Sequence, residues 1–234
     1  MHKLNILFTL ASLSVILVTI ERFSITTKIL LQPYNFLRLH EAFQMTTIIL
    51  FTVLIPFFIL YYSSDMLALF VKKKFVWILV LFIGGVYFYS TGNGLHEMAS
   101  FTLNQYCIVK SISGIFCNGQ FFNDYYTGNI LYFIGGIFMT IALLLTEKIN
   151  PNLTYSKKDV TVTVLNAIIY AFAIFAYAAF DPVLVGLFYS IFIMGVAVVL
   201  WFGIRKKYLQ YPVTTYTALT YTIGTLAALI VRFH

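Results

Sequence analysis

"KKKFVWILVLFIGGVYFYSTGNGLHE", Lys72 to Glu97, decides the fold. Three lysines precede an unbroken apolar run, and His96 and Glu97 follow it. Between Lys74 and His96 there is no Asp, Glu, Lys, Arg or His. At a helical rise of about 1.5 Å per residue, His96 stands roughly 31 Å beyond Phe75, which matches the thickness of a bilayer core. An ionised side chain at mid-bilayer costs about 2.5–3.5 kcal/mol on insertion scales, so a run this clean predicts a membrane span.

The rest of the chain repeats the pattern. Of its 234 residues 61% are apolar and only 10% charged, with a mean hydropathy of +0.90. A soluble domain carries about 25% charged residues, so that class is excluded. The sequence predicts an all-α integral membrane protein, a single polytopic domain over 1–234. Its spans fall near 4–20, 43–62, 75–91, 128–146, 160–180, 182–204 and 213–231, with a long outer loop over 92–127. The first span is expected to be retained, because "VTIERFSI" after it offers no small-residue cleavage pattern.

Charge orients the bundle. With the N-terminus cytoplasmic, the inner segments hold Lys3, Lys72, Lys73, Lys74, Lys148, Lys157, Lys158, Arg205, Lys206 and Lys207, ten of the 15 basic residues. The positive-inside rule then predicts N-terminus in and C-terminus out, in the cytoplasmic (plasma) membrane. The net charge of +7 is a topology signal divided among short loops, so no nucleic-acid partner is expected. Cys107 and Cys117 both fall in the outer loop, where an oxidising compartment favours a disulfide.

Two adjacent His-Glu pairs, His40-Glu41 and His96-Glu97, converge on one layer. His40 lies roughly 33 Å before Tyr62, and His96 roughly 31 Å after Phe75. Both therefore reach the outer boundary. Glu21, Asp124 and Asp181 fall at the same level, so five of the eight acidic residues share it. Imidazole and carboxylate are the usual ligands of zinc and non-haem iron. One expectation is thus a divalent metal, zinc or iron, on His40, Glu41, His96 and Glu97. A second is metal-free acid–base chemistry with His96, Glu97 and Asp124 as the catalytic groups. A third is polar trim reaching headgroups and water. The pairs do not follow the zincin spacing: Gln44 and Ser100 stand where a second His is required. Adjacent helical residues point about 100° apart, so one member of each pair suffices to face inward.

Other features are read as packing. "FIGGVYF" (Phe82–Phe88) and "FIGGIFM" (Phe133–Met139) predict a close helix crossing at Gly84–Gly85 and Gly135–Gly136. Pro56 predicts a kink in the second span. Thr214, Thr217, Tyr221 and Thr225 mark one face of the last helix, expected to look into the bundle with Asn166. The glycines of "TGNGLHE" are expected to loosen a helix end beside His96. Asn93, Tyr89 and Tyr125 are the candidate substrate-binding residues.

With no ionisable group inside the predicted spans, proton pumps, voltage sensors and retinal proteins are disfavoured. The leading expectation is a membrane-embedded enzyme acting on a membrane lipid or other amphiphile at the outer face. The alternative is a non-enzymatic small-molecule carrier or membrane-complex subunit.

Overall fold

In hydrocarbon an apolar segment must bond its own N–H and C=O groups, which leaves the helix as the available form. The computed structural model describes residues 3–151, 155–204 and 207–234. Seven of its helices are long and apolar enough to cross a membrane, and the described residues form no strand. They are α1 (Lys3–Arg22), α2 (Leu39–Ser63), α3 (Lys73–Tyr106), α4 (Ile115–Ile149), α5 (Lys157–Phe180), α6 (Val185–Gly203) and α7 (Pro212–Phe233). The expected all-α bundle of seven spans is what the chain forms. Arg205 and Lys206, counted above in the inner charge set, lie outside the described residues.

Helices α3 and α4 outrun their predicted ends. The chain stays helical through "TGNGLHEMAS" to Tyr106, and helix resumes at Ile115. The expected 92–127 loop shrinks to a short link, and the Cys107–Cys117 disulfide closes it. The expectation that Gly92 and Gly94 loosen the helix is therefore corrected. Gly92 is instead a contact point. A Cβ there would stand 2.2 Å from the Tyr132 backbone N and 2.7 Å from the Gly128 carbonyl. A matching contact recurs seven residues away on each helix, where a Cβ on Gly135 would stand 2.5 Å from the Gly85 carbonyl and 2.2 Å from the Tyr89 N. Close backbone packing offsets the poor helix propensity of glycine. The predicted crossing holds for Gly85 and Gly135. Gly136 faces the Tyr189 ring, and Gly84 faces open space.

Helix α7 packs chiefly on α5 and α6, and α1 on α5 and α2. The hydroxylated face of α7 looks inward as expected, with Thr214, Thr217, Tyr221 and Thr225 all buried. Asn166 on α5 is buried too and donates to Thr9 Oγ1 at 3.1 Å. The core between these helices is rich in tyrosine. Tyr189 and Tyr221 share a hydroxyl–hydroxyl bond of 2.5 Å, and Phe133 stacks on Tyr189 at 4.5 Å.

The two ends of the bundle differ. One end holds most of the lysines. There Glu147, at the end of α4 and almost fully buried, accepts from Val213 N at 2.6 Å, Thr214 N at 2.7 Å and Thr214 Oγ1 at 2.7 Å. A carboxylate from one helix thus caps the free N–H groups of another. The other end carries the two His-Glu pairs.

Candidate functional site

The His-bearing end is shaped by two breaks in helical regularity. Residues Gln44–Ile48 in α2 and Asn123–Gly128 in α4 each form a π-turn. A π-turn widens the helix and re-aims its side chains, and such turns are frequent at functional sites. Both pack against α3, the helix that carries His96.

Asp124 sits in the second π-turn. Its carboxylate Oδ1 lies 2.7 Å from His96 Nδ1, and its main-chain carbonyl lies 3.1 Å from the same nitrogen. Two acceptors at one ring nitrogen assign the hydrogen to Nδ1 and leave Nε2 as the free lone pair of the neutral ring. The Asp124 side chain is 3% exposed and that of His96 26% exposed. The acid is thus sealed and the imidazole is open to its surroundings. Gly128 makes this approach possible, since a Cβ there would stand 3.0 Å from both Cα and Cβ of His96.

His40 makes the same kind of contact with a different helix. Its Nδ1 lies 2.7 Å from Oε2 of Glu21 at the end of α1, and both side chains are nearly buried. Glu21 also accepts from Gln44 Nε2 at 2.8 Å and from Thr26 Oγ1 at 2.6 Å. Glu41 is occupied by Arg38, whose guanidinium lies over the Phe101 ring. In neither dipeptide does the histidine pair with its own glutamate, as the roughly 100° turn between adjacent helical residues requires.

Among the described residues, no three His, Cys, Asp or Glu side chains are grouped to hold a metal ion. The expected shared centre of His40, Glu41, His96 and Glu97 is not assembled, because Glu21, Arg38 and Asp124 divide its members. Glu97 stands apart. It is 7% exposed and has no hydrogen-bond or ion-pair partner among the described residues. It lies within electrostatic reach of His96, His40, Arg22 and Glu41. The two pairs thus share one layer, as the rise per residue predicted, with Glu97 between them.

Asp181, in the link between α5 and α6, closes the far side. Its Oδ2 accepts from Asn129 at 3.2 Å, while Arg232 of α7 bonds the carbonyls of Ala178 and Asp181. Burial pushes the Asp181 carboxyl up to about 6; His96 when protonated and the positive charge of Arg232 oppose this, and Asp124 adds to it.

The candidate substrate-binding residues scatter. Tyr89 turns into the core, where its hydroxyl meets Tyr132 Oη at 3.3 Å. Tyr125 lies tilted against Phe121 at 4.7 Å, and Asn93 is half-buried on α3. Of the catalytic candidates, His96 and Asp124 are joined and Glu97 adjoins them. Glu21, Gln44 and Arg232 join the cluster without being among the residues that the sequence marks as site candidates. Glu21 carried a signal in its level alone; Gln44 and Arg232 carried none. Two cavities among the described residues, one beside Glu147 and one at mid-bundle, lie away from this cluster. Protein-family models, curated proteins and solved structures offer no match to the chain.

Proposed function

We propose that the protein is a membrane-embedded enzyme that performs acid–base chemistry on a lipid or other amphiphile. The observation that carries this is the His96–Asp124 pair, a sealed carboxylate holding a partly exposed imidazole by Nδ1. That arrangement fixes the ring's tautomer and orientation and stabilises the imidazolium once Nε2 has taken a proton. His96 is the general base, Asp124 orients it, and Glu97 is the neighbouring carboxyl available to return a proton. The substrate is amphiphilic because the pair stands at the mouth of an apolar bundle, where a headgroup meets water and its chains remain in hydrocarbon. The lysine bias of the opposite end supports placing this mouth on the outer face of the plasma membrane.

The test is reconstitution of wild type, His96→Gln and Asp124→Asn into liposomes made from a host lipid extract, followed by mass spectrometry of the lipids over time. Wild type is expected to convert at least one lipid species. His96→Gln should lose that conversion by about 10²–10⁴-fold, the usual share of a general base. Identical lipid profiles for wild type and His96→Gln would sink the proposal. A carrier role draws support from the cavity at mid-bundle. It predicts lipid profiles unchanged by all three proteins.

A further inference from the structure

The polar side chains of the bundle interior do not all find partners. A cavity of about 110 Å³ lies between α1, α2, α4, α5 and α7, well away from the His-bearing cluster. Its wall is apolar in body, with Phe8, Ile55, Ile59 and Leu143, but hydroxyls stud it: Ser14, Thr52, Tyr170, Tyr216, Thr217 and Thr220. No Asp, Glu, Lys, Arg or His lines it.

Three details point to an occupant. The Tyr216 hydroxyl is buried and makes no hydrogen bond of ordinary geometry among the described residues, although Thr220 and Ser12 lie close enough to influence it. Tyr170, whose ring meets that of Tyr216 edge-on at 6.1 Å, lines the same wall. A buried polar group without a partner costs about 1–3 kcal/mol, so the Tyr216 hydroxyl favours a molecule that satisfies it. Finally, Pro56 on the same wall has no N–H for the carbonyl of Thr52 one turn earlier, so that carbonyl lacks its regular helical donor. The wall thus offers tyrosine donors and a carbonyl acceptor together.

We propose that this cavity binds a neutral, apolar molecule through a hydroxyl group. An alcohol oxygen accepts from Tyr170 or Tyr216 while its proton is donated to an acceptor such as the Thr52 carbonyl. A carboxylate, phosphate or ammonium is excluded by an uncharged wall in which the ion would lose its hydration without a counter-charge. The alcohol reaches the cavity either from the membrane, as a long-chain or polycyclic alcohol, or from water, as a short one.

The experiment is photolabelling of the purified full chain in nanodiscs with three diazirine probes: a long-chain alcohol, the same chain ending in a carboxylate, and a short water-soluble alcohol. Labelled residues are read by peptide mass spectrometry. Wild type should be labelled on α7 between Val213 and Tyr221 or at Tyr170 by an alcohol and not by the carboxylate, and the alcohol that labels identifies the source. Tyr170→Phe and Tyr216→Phe keep the rings, so the unliganded protein should melt as wild type does. Each should weaken labelling about fivefold, the share of one hydrogen bond near 1 kcal/mol. Thr217→Phe, which fills the cavity, should abolish it. Equal labelling by the carboxylate, no label on the wall, or labelling indifferent to both Tyr→Phe changes overturns the proposal. So does a high-resolution structure, determined with the alcohols present, in which water alone fills the space.

Discussion

Gly92→Ala is the most demanding perturbation of this bundle. The added Cβ would meet only backbone atoms of α4: Tyr132 N at 2.2 Å, the Gly128 carbonyl oxygen at 2.7 Å and Leu131 C at 2.8 Å. No side chain can rotate away from such a contact. Ordinary contact begins at 3.4 Å, so the two helices must part by 3.4 − 2.2, or about 1.2 Å. His96 lies one turn further along α3, and Asp124 one turn back along α4. Carried to that level, the shift stretches the 2.7 Å contact between them to about 3.9 Å, beyond hydrogen-bond range. The overpacking costs about 1–3 kcal/mol and the lost charge-assisted bond about 1.5–3, so the combined loss is at least about 2.5 kcal/mol. Gly94→Ala supplies the control, because a Cβ there meets nothing within 4 Å. It should gain about 0.5–1 kcal/mol from better helix propensity. Reversible unfolding in mixed micelles, followed by far-UV circular dichroism, should separate the two variants by about 3 kcal/mol. Nitrogen-15 spectra of the histidines report the His96–Asp124 bond directly. A Gly92→Ala protein within 1 kcal/mol of Gly94→Ala, with an unchanged His96 signal, would refute the crossing as the element that sets this pair (the 1 kcal/mol margin being about the size of the control effect).

Three further outcomes follow from the same structure. Glu147→Ala leaves Val213 N and Thr214 N without their acceptor in a buried site, and should cost about 2–6 kcal/mol at roughly 1–3 per group, measured by the same unfolding assay. Replacing Cys107 and Cys117 by Ser opens a loop of sequence separation 10 and should cost roughly 2–3 kcal/mol, with proteolysis appearing between Ser111 and Gly114. Asp181 has its carboxyl raised from 3.8 to about 6, so the folded state holds the proton more tightly than the unfolded state. Its stabilising contribution is complete below pH 4 and is lost as pH rises through about 6. Wild type should therefore lose stability relative to Asp181→Asn across that window; parallel pH profiles for the two would dismiss the shift.

Much of the fold was legible because membrane insertion is a local test. Each of the seven segments is long enough and clean enough to be recognised without knowing its neighbours. The level of His40 and His96 was legible too, since the rise per residue is fixed once a helix is given. The glycine crossing was half legible: the sequence names Gly85 and Gly135, while it places Gly92 in the expected outer loop and Gly128 at the first residue of the fourth expected span. Their place became visible only when α3 and α4 were seen to continue side by side. The pairing of the charges was not legible. Depth along a helix says nothing about rotation around it, and nothing in "RLHEAFQ" or "GLHEMAS" directs His40 to Glu21 or His96 to Asp124.

By itself, then, the sequence determined the number of helices, the asymmetry of charge between the two ends, the disulfide and the layer in which the ionisable groups gather. These follow from hydropathy, helical rise and residue chemistry, which act within one segment at a time. The tertiary structure alone decided which groups in that layer touch, where the π-turns fall, that Glu147 caps α7 and that Glu97 has no hydrogen-bond or ion-pair partner among the described residues. Those depend on how helices rotate and approach, which is set by backbone contacts at Gly85, Gly92, Gly128 and Gly135 between segments far apart in the chain.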